Sequence, residues 1–484
     1  MRSFVNITKL GVLTCGILFC LLFRQGSLIT IYAAPDWPVP EPTIEASAGI
    51  VIDADSGAVL YEKDADTLYP PASVTKILTA LIVMEHCEDL DDTVSFSKTA
   101  IETVEPDSGN KISVVEGDKM TVEDCLYAML LVSSNQSANA LAEYTAGSID
   151  AFVEMMNDKV AELGLTSSHF ENPSGLNGDT QNVTARELAQ IARAAYSNGK
   201  LLEISGTISY HLPAMINNPE GLTIRNEHRL VYTTDESSEF YFPDAKAGKT
   251  GYLLKAGNTL VTYAEQDGKH LISVILKGKP RQYFVDAKTI MAFGFLNFQN
   301  YNISEYDSDF SDSELNSLTE QGLNPSELSI SDDSFVTLPN DVNLSMAERI
   351  LVSDFPARHP QNAVAMFEYT YAGRIVGTAF INRIQADPAA AAVPERTKTE
   401  DTNELVPASG SSSKLNPLTL IGTILLIILI AIIGAVIVFY IHSSRRETQM
   451  MEERRRKRKI RLKEAGISQD EFDQLLASRK TGRR

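Results

Sequence analysis

Apolar and polar positions along this chain repeat with two different periods. Residues 48–62, AGIVIDADSGAVLYE, alternate and then break at Asp55-Ser56-Gly57. That pattern predicts strand, turn, strand. Spacings of three and four take over at 73–87, 121–132, 136–145, 149–163 and 184–198, which predicts helices. Alternation returns at 247–265 and 269–278. Strands at both ends with helices between them predict one sheet covered by a helical layer, an α+β fold spanning about residues 40–298.

The pattern changes near residue 300. Residues 299–335 are rich in Asp, Glu, Ser and Asn and are expected to form an acidic insert or loop. Alternation recovers over 336–385, as in AVAMFEYTYAGRIVGTAFI, and predicts a small second β domain. Residues 386–417 have linker composition, with a reach of roughly 30 Å as flexible chain. Residues 418–441 carry no charge. As a helix they would be roughly 36 Å long, enough for one transmembrane span across the lipid bilayer. Residues 1–33 read as a signal peptide: Arg2 and Lys9, an apolar run over 10–23, and a cleavage point at Ala33. An uncleaved N-terminal anchor is the alternative.

Charge sharpens this organisation. The tail, 442–484, has 14 Lys and Arg against 7 Asp and Glu. The positive-inside rule assigns it to the cytoplasm and the portion between the two apolar segments to the outside. The whole chain of 484 residues is −20, and the exported portion is more negative still. Such a surface repels nucleic acid and anionic lipid, so neither is expected as its partner. The RRRKRK block at 454–459 lies where anionic headgroups would meet it. A capping-box pattern from Ser468 to Glu471 suggests a short helix, with the tail's partner left open. Cys15 and Cys20 fall in the signal. Cys87 and Cys125 lie in apolar helical patterns and read as small buried thiols, with pairing unresolved. The seven histidines are scattered without ligand spacing, so no metal site is predicted.

Candidate chemistry begins at PPASVTKILTALIVMEHC, residues 70–87. Lys76 falls one turn inside a run built for burial, where an ammonium is costly unless paired or deprotonated. Ser73 precedes it by three positions and so shares its helix face. A first-turn serine also has an unpaired backbone N–H. Together they offer a nucleophile, a base and half of an oxyanion hole. Roughly two S-x-x-K matches are expected by chance in such a chain. The matches include Ser73, Ser95, Ser108 and Ser411, and of these only Ser73 opens a long apolar helix. Of two S-x-N candidates, Ser108-Gly109-Asn110 lies in a turn-like stretch. Ser133-Ser134-Asn135 lies at a tight junction between two buried helices, where a simple helix cap is the alternative. Of two K-T-G strings, 480–482 is in the basic tail. Lys249-Thr250-Gly251 opens a strand that continues through Tyr252. Its glycine allows close approach of a ligand, and its lysine offers a cation to a carboxylate.

These three motifs in this order form a known signature set. They resemble the low-molecular-mass penicillin-binding proteins, the serine-type D-alanyl-D-alanine carboxypeptidases. ASVTKILTALIVME, SSNQSANALAEY, FVEMMNDKVAELGLTSSHFENPSGLN and AGKTGYLLKAGNTL are all similar to that family's segments. The resemblance covers about 45–298, and more weakly 336–384. It implies a penicillin-binding-protein/β-lactamase-like sheet with a helical layer, plus a small C-terminal β domain. It implies that Ser73 attacks the carbonyl between two terminal D-alanines and that Lys76 takes its proton. Ser133 would relay a proton to the leaving amine, and Asn135 would hold the peptide backbone. Lys249 and Thr250 would receive the terminal carboxylate, with the N–H groups of Ser73 and Tyr252 as oxyanion hole. The implied partners are peptidoglycan stem peptides ending in D-Ala-D-Ala, with β-lactam antibiotics as inhibitors and no cofactor. Ser134 stands where the signature set has Asp, which argues against a class A β-lactamase. Other serine acyl-transfer enzymes (a D,D-endopeptidase or β-lactamase) and a non-catalytic wall-binding scaffold remain as alternatives.

Overall fold

The hairpin at the start of the pattern forms β1 (Ala48–Asp53) and β2 (Val59–Lys63). Asp53 sets the turn: its carboxylate accepts from the amides of Asp55 and Ser56 at 3.0 and 2.8 Å. Gly57 completes it at φ +78°, which costs glycine little. A computed structural model describes residues 37, 41–105, 108–352, 359–360 and 362–384, all within a unit ending at Ala391. The signal segment, the linker, the apolar stretch 418–441 and the basic tail lie outside the described residues. Among the described residues no helix is long and apolar enough to cross a membrane.

The helical layer follows. It comprises α1 (Lys76–His86), β3 (Thr93–Ser95), α2 (Lys98–Glu102), β4 (Lys119–Thr121), α3 (Val122–Leu131), α4 (Asn135–Ala146), α5 (Ile149–Glu162), α6 (Ala185–Tyr196) and α7 (Gly199–Gly206). Small hydroxyl residues fix the starts. Thr121, Ser134, Ser148 and Thr184 each accept a backbone N–H as N-cap, and Thr121 with Asp124 forms a full capping box. Helix α1 is apolar nearly all round, and its residues 76–83 are buried. Cys125 is buried in α3, but Cys87 at the end of α1 is only partly covered, correcting the expectation of a buried thiol there; both are free. The C-terminal cap simply falls where α1 reaches the surface.

After β5 (Ser209–Leu212), β6 (Leu222–Arg225) and α8 (Arg229–Tyr232), the chain returns to the sheet. It does so as β7 (Ala245–Leu253), β8 (Gly257–Gln266) and β9 (Lys269–Gly278). The order is β2-β1-β9-β8-β7, antiparallel throughout, with β7 last. The alternation over 247–265 is therefore two strands, reversed before Gly257 at φ +67°. Helix α9 (Gln282–Asn297) has no counterpart in the sequence expectations. It packs on the sheet with Phe284, Ala287, Ile290 and Met291 buried.

The acidic segment 299–335 is not a loop. It contributes β10 (Phe298–Asn302), α10 (Ile303–Tyr306), α11 (Asp312–Glu320) and β11 (Leu328–Ile330). With β12 (Phe335–Pro339), β13 (Glu348–Val352), β14 (Ala363–Tyr371) and β15 (Arg374–Arg383), it builds a second sheet in the order β10-β12-β15-β14-β13, and β11 pairs with β15. The second lobe thus starts at 298, not 336. The polar composition concealed a few apolar anchors, Ile303, Leu318, Leu328 and Ile330, all buried. Arg349 from β13 neutralises part of the acidic charge, pairing with Asp307 at 2.9 Å and Glu314 at 2.6 Å.

The two sheets share a seam. Phe298 stacks obliquely on Trp37 at 5.1 Å and edge-on to Phe293 at 5.7 Å. Beside it, Asn300 donates to Asp53 at 2.9 Å, and the hydroxyls of Ser56 and Thr337 lie 2.6 Å apart. Phe298→Ala is expected to cost about 3–5 kcal/mol of stability. Thermal and urea denaturation followed by circular dichroism will measure that loss.

Candidate active site

Prolines 70 and 71 end the extended chain, and Ala72–Thr75 forms one 3-10 turn before α1. Ser73 therefore sits on a turn leading into the helix, which begins at Lys76 rather than at residue 73 as the sequence pattern predicts. Ala72 has φ +53°, a left-handed conformation that strains a residue with a Cβ. Packing holds it there. Gly175, at φ +78°, lies so close that a Cβ would overlap the Ala72 carbonyl. On the other side, Thr259 of β8 donates to the carbonyl of Pro71 at 2.9 Å.

Lys76 is fully buried. Its Nζ lies 2.8 Å from Asn135 Oδ1, 2.5 Å from the Ser174 carbonyl and 3.1 Å from Ser73 Oγ. Two of those partners can only accept. A neutral amine satisfies both with its N–H groups and leaves its lone pair for the Ser73 hydroxyl proton. Burial first, then the Lys249 ammonium, holds Lys76 well below the usual lysine range. Lys111 adds to that effect, and Glu227 opposes it.

Asn135 reaches Lys76 because Ser134 caps α4, accepting from Ser137 N at 3.1 Å. A small hydroxyl residue is thus used up structurally at the middle of the motif. Ser133 is half-buried at the corner before it, with φ +64°. The side chain of this motif that meets Lys76 is that of Asn135, the residue expected to hold substrate.

The opposite wall is β7. A Cβ on Gly251 would fall 2.8 Å from Ser73 N, so this glycine lets the strand lie against the Ser73 amide. Thr250 is half-buried, and the Tyr252 side chain is 62% exposed. Lys249 is buried and donates to the Thr250 carbonyl at 2.8 Å. Burial pushes its ammonium down to about 8, with Glu227 opposing and Lys111 assisting. At neutral pH it is mostly charged. Ser73, Lys76, Asn135, Lys249 and Gly251 are brought together from three stretches of chain, with Ser133, Thr250 and Tyr252 as direct neighbours.

Sequence reasoning missed several supporting groups. The Ser174 carbonyl and Gly175 lie within ENPSGLN, which resemblance had marked without a role. His228 had no local signal. It is buried behind β7, with Nε2 3.0 Å from Thr262 Oγ1 and 3.2 Å from the Val261 carbonyl. Burial, with Lys249 adding, lowers its pKa to about 3, so the imidazole is neutral. Among the described residues, no group of three His, Cys, Asp or Glu side chains converges as a metal site would require.

The family model for D-alanyl-D-alanine carboxypeptidases, the S11 peptidases, matches residues 36–280. A D-alanyl-D-alanine carboxypeptidase of Mycobacterium tuberculosis is 35% identical over 269 residues, which is 54% of this chain and 86% of the relative. One from Escherichia coli is 30% identical over 62% of this chain and 72% of its own. One from Streptomyces is 30% identical over 57% of this chain and 96% of its own. The chain belongs to the S11 family of D-alanyl-D-alanine carboxypeptidases. It is accordingly an enzyme, a serine-type carboxypeptidase.

Gly175→Ala is expected to displace the Ser73 turn and slow acylation by penicillin on the order of 10²-fold, since small misplacements of reacting groups have that effect. Stopped-flow labelling, with circular dichroism to check folding, measures it.

Proposed function

We propose that this protein is a membrane-anchored D,D-carboxypeptidase that removes the terminal D-alanine from peptidoglycan stem pentapeptides through an acyl-enzyme on Ser73. The observation that carries the reading is the fully buried Lys76 amine 3.1 Å from Ser73 Oγ, with its remaining contacts made to acceptors. Lys76 takes the hydroxyl proton as Ser73 attacks the carbonyl between the two D-alanines. General-base help of this kind contributes roughly 10²- to 10⁴-fold. The N–H groups of Ser73 and Tyr252 stabilise the developing oxyanion, and Ser133 passes a proton to the leaving amine. Asn135 holds Lys76 through Oδ1 and turns its amide nitrogen to the substrate backbone. Lys249 and Thr250 receive the terminal carboxylate. Water then attacks the ester and releases the shortened peptide. β-Lactams would acylate the same serine. The signal peptide, the acidic exported portion, the uncharged stretch 418–441 and the basic tail support a single-pass protein with its cleft outside the membrane and its tail in the cytoplasm.

The test is mass spectrometry of the full chain in detergent after incubation with penicillin. One covalent adduct at Ser73 is expected, and none in Ser73→Ala. An adduct that persists in Ser73→Ala defeats the reading. Release of D-alanine from a pentapeptide should fall together with labelling in Lys76→Gln. The pH profile of kcat/KM follows from the two lysines. Activity rises as pH climbs through the lowered pKa of Lys76, which must be neutral. It falls above about pH 8, where Lys249 loses its charge.

A further inference from the structure

Ser108-Gly109-Asn110-Lys111 matches two of the sequence motifs and serves neither. The structure nevertheless sets it beside the cleft. The Gly109 carbonyl accepts from Gln136 Nε2 at 3.4 Å, and Gln136 follows Asn135. Asn110 ties the loop by bonding Val114 through both ends of its amide, at 3.1 and 2.6 Å. Lys111 then reaches across 116 residues of sequence to form an ion pair with Glu227.

Glu227 is held on the other wall. Its amide donates to the Leu131 carbonyl at 3.1 Å. Its neighbour Asn226 donates to the carbonyls of Ser205 and Thr207 at 2.9 and 3.0 Å. Its other neighbour, His228, packs against Gly248, where a Cβ would fall 2.6 Å from the ring nitrogen. Lys249 is the next residue. The ion pair therefore joins the segment beside Asn135 to the segment beside Lys249. The charged groups that act on Lys249 are Glu227 and Lys111, and those that act on Lys76 are Lys249, Lys111 and Glu227; His228 is the neutral titratable group behind the strand.

We propose that Glu227 and Lys111 are positioning residues for the reaction, an ion pair that bridges the cleft and sets the charge met by the substrate's terminal carboxylate at Lys249. This rests on the carboxypeptidase reading above. Glu227 favours the ammonium of Lys249, yet alone it would repel an incoming carboxylate. Lys111 cancels that repulsion without removing the support. Both side chains are partly exposed, 44% and 38%, so salt weakens the effect.

The test compares Glu227→Gln, Lys111→Gln and the double variant in the full-length enzyme, with pH profiles of D-alanine release. Glu227→Gln should move both limbs to lower pH, and Lys111→Gln should move both to higher pH, each by roughly half a unit. The double variant should return near the wild-type profile, and 0.5 M salt, about a 4 Å screening length, should shrink the single shifts. Lys111→Gln should also raise KM for the free-acid peptide several-fold more than for the same peptide ending in an amide. Unmoved limbs in both single variants overturn the proposal, as do shifts of the same sign. Penicillin labelling of each variant at Ser73 verifies that its fold survives. If one variant fails to label, the other still decides through the direction of its shift. Absence of labelling in the wild type would instead defeat the underlying carboxypeptidase reading, and this proposal with it.

Discussion

The Lys76 amine ends inside an apolar layer with no exposed surface, and much of the surrounding architecture answers to that placement. Its three contacts come from partners 3, 59 and 98 residues away. Each partner is fixed by an unrelated piece of local structure. Ser73 is fixed by the 3-10 turn, and Asn135 by the Ser134 cap. Ser174 is fixed by Asn172, whose side-chain oxygen accepts from the amides of Gly175 and Leu176 at 2.8 and 3.0 Å. Packing the helical layer and arranging the reacting groups are thus a single event. A buried amine left without these acceptors would destabilise the fold as well as the chemistry.

Close backbone approach is the second requirement. Ala72 and Ser133 adopt left-handed conformations although both carry a Cβ, at a cost of about 1–3 kcal/mol each. Gly175 and Gly251 stand where a Cβ would collide with the turn that carries Ser73. Strain at the two serine-bearing corners and glycine opposite them keep the cleft narrow. Ser205 braces β7 from behind, accepting from Gly248 N at 3.1 Å and donating to its carbonyl at 2.9 Å.

Much of this was legible in the sequence because it depends on local spacing. Helices α1 and α3 to α6 and the strands β1, β2 and β9 lie close to their predicted bounds, since their caps and apolar periods occur within single segments. Ser73, Lys76, Asn135 and Lys249 stood out because each motif sits in a fitting local context. What escaped notice depends on distant neighbours. α9 is apolar on most sides and shows no clear period. Residues 299–335 looked like loop because their few anchors meet a sheet completed only by β15. Lys111, Glu227 and His228 gain meaning only when loops far apart in sequence converge on β7.

The aromatic seam has a practical corollary. Trp37, Phe293 and Phe298 face one another where the two sheets meet, and Asp53 in the first strand is hydrogen-bonded by Asn300 in β10. Trimming the polypeptide at the end of the matched family segment would strip α9 and the second lobe from the back of the catalytic sheet, leaving Val51, Leu60, Leu260 and Ile275 open to water. Such a fragment would be prone to aggregate despite retaining every motif. For inhibitor screening or crystallisation, the smallest sensible unit therefore runs through residue 384.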